Sequence, residues 1–313
     1  MRLKFIIFNC FSAKIGFVKV TAVTVNYNRP GDTVELITSI RHSDLADASL
    51  LVIDNGSTDG SPRILKATFP DLQIASLPQN LGFAGGFNYG MGMALEAGSD
   101  AVLIINNDTV VPEVFLGSLV TALASDLKIG AVSPKIYCSD GKTIWWAGGK
   151  LNLDRGQIVN VGSGRVDDGL YSSIVDCDYL TGCCVLFRSS ALKSVGLFDP
   201  IFTHTGEDVD LSLRLTKAGY KLHMIPQSTL IHKVSQTGGG ELSPFHLYNL
   251  EKYRILLMRK WGFWHGLLSW LALTPLLTRR IASIIVKGRS LNSVLDVIRG
   301  WRDGVRLNYE KST

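Results

Sequence analysis

The amino-acid sequence predicts an α/β fold in which a mostly parallel sheet covered by helices is followed by a mixed half. Through the first 134 residues, short unbroken apolar runs alternate with helical patterns, which is typical of strands buried on both faces. After Pro134, short strands are separated by Asp-Gly, Gly-Gly and Arg-Gly turns, which favours antiparallel pairing. Hydrophobic residues make up 46% of the 313 residues, so the chain can bury a sizeable core and is neither disordered nor fibrous.

The predicted elements form a series of alternating strands and helices. In the first half, strands are expected over residues 18–26, 49–55, 72–76 and 101–106. Helices are expected over residues 32–43, from Asp59 or Ser61 onward, and from a glycine-rich loop to about Ala97. In the second half, strands are expected over residues 179–187 and 220–226, and two helices are expected to end at Gly196 and Gly219.

Four polar loops follow the predicted strands of the first half, at residues 26–28, 54–57, 80–88 and 106–109. Ligands of open α/β sheets bind beyond the carboxyl ends of the strands, so these loops predict a polar cleft. The third loop is rich in glycine and opens a helix, where backbone N–H groups suit a phosphate or a sugar, although small residues also permit close helix packing. The loop lacks G-x-G-x-x-G spacing and a Walker lysine, which disfavours a nicotinamide-dependent oxidoreductase.

Four titratable residues are candidates for chemistry. Asp108 is the lone carboxylate of "LIINNDTVVP" and directly follows a predicted strand. Glu207 and Asp208 open a helix, where acidic side chains either cap the helix or act as a general base toward a hydroxyl. His232 ends a strand, and a lone histidine is more often structural than a ligand. An imidazole and a carboxylate can nonetheless hold a divalent cation whose other ligands are diphosphate oxygens and water.

The charge distribution separates the C-terminal region from the rest of the chain. The net charge is +5, but from Lys252 onward twelve Lys or Arg stand against three Asp or Glu. Such a basic tail predicts an anionic partner, and no nucleic-acid-binding module accompanies it. The five cysteines include no C-x-x-C pair, which argues against a disulfide framework or a zinc site and favours a reducing cytoplasm.

Residues 261–278 lack Asp, Glu, Lys and Arg, contain three tryptophans and are flanked by basic pairs. This pattern predicts a helix lying at a membrane interface, with a buried core or dimer helix as the alternative and a spanning helix disfavoured by Pro275. Residues 1–17 are expected to be an extension before the first strand. The predicted organisation is therefore an extension (1–17), a first half (18–134), a second half (135–245) and a basic helical region (246–313).

The ordered motifs "VTVNYN", "VIDNGSTDGS", "NLGFAGGFNYG", "INNDT", "TGCCVLFR", "GEDVDLSLRL" and "IHKVS" resemble those of the inverting family 2 glycosyltransferases, in particular bacterial rhamnosyltransferase-like members. The resemblance covers about residues 18 to 260 and implies the GT-A fold, which is a Rossmann-like α/β fold. It makes 18–134 the nucleotide-sugar half and 135–245 the acceptor half. Two departures are present, because Asn106 and Asn107 stand where many relatives carry carboxylates, and "THTGED" replaces a more aromatic approach to Glu-Asp.

The resemblance also implies roles for individual residues. Asp208 is the catalytic base beside Glu207, and Asp108 and His232 are ligands of a divalent metal, Mg or Mn. The residues expected to bind the nucleotide-sugar are Asn26, Tyr27, Asp54, Asn80, Gly82, Gly85, Asn88 and Asn107. The residues expected to face the acceptor are Thr181, Gly182 and Cys183.

The predicted function is transfer of a sugar, with inversion, from dTDP-rhamnose to a hydroxyl of a lipid-linked cell-surface polysaccharide. UDP-linked donors such as N-acetylglucosamine or galactose, and a non-catalytic nucleotide-binding scaffold, are the alternatives. The expected location is the cytoplasm, peripheral on the inner face of the cytoplasmic membrane, with no nucleic-acid partner and with homo-oligomerisation left open.

Overall fold

The computed structural model describes residues 18–233, 243–262, 275, 277–279, 281–282, 286 and 291–307. These residues form two compact units. The first unit comprises residues 18–149, 160–203 and 207–233, and the second comprises residues 150–159, 204–206 and the described residues from 243 onward. The predicted extension 1–17 lies outside the described residues, and the predicted division at residues 134 and 245 stays a prediction.

The strands in the described residues are β1 (Val20–Asn26), β2 (Ser49–Asp54), β3 (Gln73–Ser76), β4 (Ala101–Ile105), β5 (Thr109–Val110), β6 (Ile129–Tyr137), β7 (Ile144–Trp146), β8 (Gly149–Asn152), β9 (Gln157–Asn160), β10 (Val175–Asp176), β11 (Cys184–Arg188) and β12 (Lys221–His232). The helices are α1 (Pro30–Arg41), α2 (Ser61–Thr68), α3 (Gly82–Glu96), α4 (Leu116–Ser125), α5 (Ser189–Val195), α6 (Glu207–Lys217), α7 (Pro244–Trp261) and α8 (Leu291–Arg306). Helix α4 and the first part of β6 were not predicted.

Ten strands form one sheet, whose main order is β10-β12-β6-β11-β4-β1-β2-β3. The pairs of β1 with β2 and β4, of β2 with β3, and of β6 with β12 are parallel. Strand β11 runs antiparallel to both of its neighbours and joins the parallel half to the mixed half. Strands β8 and β9 form a separate two-stranded sheet. The predicted α/β class, with a mostly parallel sheet and a mixed second half, is confirmed.

Helix α3 packs unusually close to the sheet because two of its residues have no side chain. A Cβ atom at Gly90 would lie 2.3 Å from Val23 Cγ1, and one at Gly86 would lie 3.0 Å from Val25 Cγ1. Both glycines therefore serve helix packing, which was the alternative interpretation of the glycine-rich run.

Strand β12 is longer than predicted and changes register along its length. Ile225 lies opposite Pro134 of β6, whereas Thr229 lies opposite the very next residue, Lys135. The segment between Ile225 and Thr229 includes Pro226, which has no N–H for the ladder, so an irregularity at this point is expected. Beyond the irregularity the strand continues to His232.

In the second unit, α8 packs against α7. A Cβ atom at Gly300 or Gly304 would lie 2.3 Å from a backbone oxygen of α7, so only glycine permits this approach. Val294 and Val297 of α8 are buried, and both belong to an apolar cluster with Leu247 of α7. No helix in the described part of the chain is long and apolar enough to cross a membrane. Most of the segment 261–278 lies outside the described residues, so its predicted interfacial role stays a prediction.

Candidate functional site

A buried hydrogen-bond network surrounds Asp54 at the end of β2. Asp54 Oδ1 accepts hydrogen bonds from Asn26 Nδ2 at 2.9 Å and from Ser57 Oγ at 2.6 Å. Its other oxygen accepts one from the backbone N–H of Ser57 at 3.1 Å. The carboxylate is only 2% exposed, so its main contribution is to fix the loop that follows β2.

The same network reaches across the strand ends through Thr33, a residue that the sequence analysis missed. Thr33 Oγ1 donates to Asn26 Oδ1 at 2.8 Å and accepts from Asn107 Nδ2 at 3.0 Å. Asn26, Asp54 and Asn107 are therefore brought together as predicted by the strand-end argument. Tyr27 lies next to Asn26 with 38% of its surface exposed, and it is the side chain of this group most available to a ligand.

Asn55 belongs to the predicted polar loop 54–57 but was given no role of its own, and it shapes the glycine-rich loop. Its Nδ2 donates to Asn80 Oδ1 and to the Gly82 carbonyl, both at 3.0 Å, and its Oδ1 accepts from the Leu81 N–H at 2.9 Å. Gly82 has a φ of +74°, and a Cβ atom there would lie 2.8 Å from the Thr203 carbonyl oxygen. This glycine is thus required by the backbone conformation and by the close approach of residue 203.

Gly85 and Asn88, both predicted to bind the donor, have structural contacts within the first unit. A Cβ atom at Gly85 would lie 2.5 Å from Leu81 Cβ. Asn88 exchanges two hydrogen bonds with the backbone of Phe198, from Nδ2 to the carbonyl at 2.8 Å and from the N–H to Oδ1 at 2.9 Å. Both polar ends of this amide are occupied, so Asn88 braces α3 against the segment after α5, and its assignment to the donor stays a prediction.

Asp108 and His232 lie side by side where β5 pairs with the end of β12. Asp108 Oδ1 is 3.2 Å from His232 Nε2, and both residues are buried. The backbone N–H of Lys233 donates to the Asp108 carbonyl at 3.0 Å, and the ring of Trp145 meets the imidazole edge to face at a centroid distance of 4.5 Å. The sequence prediction placed these two residues in one site, and the structure brings them into contact.

The surroundings of His232 raise its pKa to about 10. Burial alone would lower the pKa, while Cys183 and Asp108 raise it. Cys183 acts in this way only as a thiolate, and burial raises the pKa of that thiol above its ordinary value. We therefore attribute the stabilised imidazolium to the Asp108 carboxylate.

The pair fits a divalent cation as a partial ligand set. The described part of the chain contains no group of three or more His, Cys, Asp or Glu side chains arranged to hold a metal. If a cation displaced the proton that His232 Nε2 shares with Asp108, one carboxylate oxygen and one imidazole nitrogen would fill two of about six positions and leave the others for phosphate oxygens and water. Such an incomplete set suits a cation that arrives with a diphosphate.

Asp208 and Glu207 begin helix α6 and differ in environment. Asp208 Oδ2 accepts from the Gly182 N–H at 2.9 Å, and Oδ1 accepts from the Val209 N–H at 2.8 Å. Burial raises the pKa of Asp208, and these N–H groups oppose the rise. Glu207 is 4% exposed, and its Oε2 has no hydrogen-bond partner in the described part of the chain. Burial and the neighbouring Asp208 raise the pKa of Glu207 well above its ordinary value, which favours a neutral Glu207 beside a charged Asp208.

The segment Thr181–Gly182–Cys183 is hydrogen-bonded to Asp208. It precedes β11 instead of belonging to it, because the Gly182 N–H bonds to Asp208 and not to a neighbouring strand. The side chains of Thr181 and Cys183 are buried, and the Cys183 carbonyl accepts from the Asn106 N–H at 2.9 Å. The segment therefore positions Asp208 and the Asp108–His232 pair, and the buried Cys183 thiol offers little surface to an acceptor.

These contacts connect most of the predicted site residues into one group. Asn107 joins the network around Asp54 to its neighbour Asp108, and Gly182 joins Cys183 to Asp208. The connected residues belong to the first unit and lie at the ends of β1, β2, β4 and β12 and at the start of α6. The arrangement places the Asp208 carboxylate and the Asp108–His232 pair at one edge of the sheet.

Known proteins resemble this chain in both sequence and fold. The chain is 29% identical over 268 residues to an N-acetylglucosaminyl-diphospho-decaprenol L-rhamnosyltransferase of Mycobacterium tuberculosis, covering 79% of this chain and 87% of that protein. It is 25% identical over 238 residues to galactofuranosyltransferase GlfT1 of the same organism, covering 72% of each chain.

A mannosyltransferase of Pyrobaculum calidifontis, solved with GDP-mannose and Mn²⁺, has a TM-score of 0.54 to this structure, at 16% identity and over 93% of this chain and 76% of that one. That likeness supports the predicted GT-A fold. Residues 21–196 match the family model described as glycosyl transferase family 2. Because this match spans more than half of the chain, the protein belongs to glycosyl transferase family 2 and resembles its rhamnosyltransferases.

Proposed function

We propose that this glycosyltransferase moves rhamnose from dTDP-rhamnose, with inversion, to a hydroxyl of a lipid-linked precursor of a cell-surface polysaccharide. The observation that carries the proposal is the grouping of Asp208 with the Asp108–His232 pair at one sheet edge. The donor sugar and the lipid-linked acceptor are suggested by the name of the M. tuberculosis relative, which this chain matches over 87% of that relative's length.

Asp208 is suited to accept the proton of the acceptor hydroxyl. Two backbone N–H groups hold its carboxylate in a single orientation, and its raised pKa improves it as a base toward a weakly acidic hydroxyl. The acceptor oxygen then attacks the anomeric carbon as the bond to the diphosphate breaks, so the configuration inverts. A neutral Glu207 leaves Asp208 as the charged carboxylate of the two.

Asp108 and His232 would hold a divalent metal together with the donor diphosphate. Such a cation, when bound, neutralises the negative charge that the leaving diphosphate gains. The protein's own contribution is to keep the carboxylate and the imidazole 3.2 Å apart and out of bulk water. Trp145 restricts the imidazole plane from one side.

The donor would lie over the network of Asn26, Asp54 and Asn107, with Tyr27 beside the nucleobase. Since the Asp54 carboxylate already accepts three hydrogen bonds, we assign it chiefly to shaping this pocket. Asn80 and Gly82 would border the sugar and diphosphate through the loop that Asn55 holds. A lipid-linked acceptor would place the enzyme peripherally at the inner face of the cytoplasmic membrane.

A donor panel tests the proposal. The protein is mixed with dTDP-rhamnose, UDP-galactose, UDP-galactofuranose or UDP-N-acetylglucosamine, each with and without Mg²⁺ or Mn²⁺, and with an N-acetylglucosaminyl-diphospho-lipid. We expect metal-dependent rhamnosyl transfer, with the anomeric configuration opposite to that of the donor by NMR. Faster transfer from a UDP-sugar would overturn the rhamnose assignment, and retained configuration would overturn the role of Asp208.

A further inference from the structure

The second unit contains a helix whose outward face is both basic and apolar. Helix α8 is fixed against α7 by Gly300 and Gly304, so the face that points away from α7 is defined by the backbone. The outer stripe consists of Leu295, Ile298, Arg299, Arg302 and Arg306, which recur at the helical spacing of three and four residues.

The side chains of the outer stripe are exposed. Leu295 and Ile298 expose 41% and 38% of their surface, and the side chains of Arg299 and Arg302 expose 63% and 51%. The outer stripe thus combines two partly exposed aliphatic side chains with three arginines on one helix face.

The acidic residues of α8 lie beside the stripe. Asp296 and Asp303 have side chains only 14% and 29% exposed. Asp303 accepts a hydrogen bond from the Tyr248 hydroxyl at 2.9 Å and contacts Arg302 at 2.8 Å, and Asp296 lies 3.6 Å from Arg299. On α8 the guanidinium and aliphatic groups are therefore more exposed than the two carboxylates, which lie beside Arg299 and Arg302.

We propose that the outer stripe of α8 docks on the surface of an anionic lipid bilayer. Its arginines would pair with phosphate headgroups while Leu295 and Ile298 enter the boundary between headgroups and acyl chains. The charge of the whole region agrees, with twelve Lys or Arg against three Asp or Glu from residue 252 onward. The inference rests on the proposed function only in that a lipid-linked acceptor brings the enzyme to a membrane.

Two other partners fit the stripe less well. Nucleic acid would use the arginines but would leave Leu295 and Ile298 against a polar backbone. A second copy of the chain, meeting stripe to stripe about a two-fold axis, would bring the same arginines face to face. The combination of aliphatic and cationic side chains selects a lipid surface.

Vesicle co-sedimentation of the full-length protein, without donor or acceptor, tests the docking. We expect binding to phosphatidylcholine vesicles containing phosphatidylglycerol, weakened by salt, and much weaker binding to pure phosphatidylcholine. The double variant Arg299→Gln/Arg302→Gln should bind the anionic vesicles on the order of tenfold less tightly. The double variant Arg299→Lys/Arg302→Lys keeps the charge and should bind nearly as wild type.

Matched controls separate charge from folding and from catalysis. Arg41→Gln/Lys128→Gln removes the same number of charges from exposed positions of the first unit and should leave vesicle binding unchanged. Leu295→Ser/Ile298→Ser should weaken vesicle binding while circular dichroism and transfer to a short-chain, water-soluble acceptor stay at wild-type levels. Absent transfer with intact vesicle binding would refute the proposed function alone.

Three outcomes would overturn the docking proposal. The first is binding of the Arg299→Gln/Arg302→Gln variant to anionic vesicles as tightly as the wild type. The second is loss of vesicle binding when equimolar RNA or DNA is added. The third is a dimer, seen by light scattering, that Leu295→Ser/Ile298→Ser dissociates while vesicle binding stays unchanged.

Discussion

The hydrogen-bond network around Asp54 and the acidic groups around Asp108 and Asp208 lie at the same sheet edge but are built differently. The Asp54 carboxylate has three hydrogen-bond donors, and its neighbours Asn26 and Thr33 are bonded as well. Around Asp208, by contrast, burial raises the pKa of both carboxyl groups, and Glu207 Oε2 has no partner in the described part of the chain. The first region is satisfied without a ligand, which suits shaping a pocket, and the second holds groups whose charge changes readily, which suits chemistry.

The largest effect is expected from Asp208→Asn. The amide keeps the shape of the side chain but cannot accept a proton, so transfer should fall on the order of 10³-fold while donor binding is retained. Glu207→Gln is the matched neighbour: it replaces a neutral acid by a neutral amide, and transfer should fall much less. The wild-type rate should decline as the pH falls through the raised pKa of Asp208, because the protonated carboxyl cannot act as a base. Equal losses in the two variants would contradict the assignment.

A somewhat smaller effect is expected from Asp108→Asn. Loss of the carboxylate leaves His232 without its anionic partner and removes one metal donor, so metal-dependent donor binding should weaken about 100-fold. Titration calorimetry with dTDP-rhamnose at several Mn²⁺ concentrations measures this change. Asp71→Asn, at an exposed ion pair, serves as the control. Unaltered metal dependence in Asp108→Asn would show that the residue belongs to an ordinary turn.

Asn26→Ala tests the satisfied region. It deprives Asp54 of a donor and Thr33 of an acceptor in a buried site, so the free energy of unfolding should fall by about 2 kcal/mol. Donor binding should also weaken, because Asn26 belongs to the network over which the donor is proposed to lie. Asn88→Ala is a useful counterpart, since it removes a buried amide that braces Phe198. In urea denaturation both variants should lose stability, but nucleotide affinity should drop only in Asn26→Ala.

The smallest effect is expected from Lys233→Met. The Lys233 ammonium lies 3.0 Å from Asp32 and 2.6 Å from Glu35 of α1, so it anchors the end of β12 directly after His232. Its loss should cost about 1 kcal/mol, seen as a fivefold weaker Mn²⁺ affinity. Lys221→Met, at the other end of the same strand, breaks an exposed pair with Asp126 and should leave Mn²⁺ affinity unchanged. A similar change in both variants would argue that Lys233 acts on stability alone.

The strand ends and their polar residues could be predicted because each depends on local pattern. Asn26, Asp54 and Asn107 follow apolar runs, and parallel strands necessarily bring their carboxyl ends together. The roles of Asn88 and Cys183 could not be predicted, since Asn88 is bonded to Phe198, 110 residues away, and Cys183 lies against His232 of a distant strand. Thr33 was missed, and Asn55 of the predicted loop 54–57 was given no role of its own, because a single hydroxyl or amide carries no periodic signal.

The register change in β12 makes segment length a requirement of the site. Between Ile225 and Thr229 this strand advances four residues while β6 advances one, and only then does it reach His232. Side chains alternate between the two faces of a strand, so deleting one residue between these positions would turn the imidazole away from Asp108 unless the irregularity absorbed the change. The number of residues before His232 thus decides which face of the strand carries the imidazole. Family members that differ in length here should differ in metal use even where the histidine and the aspartate are identical.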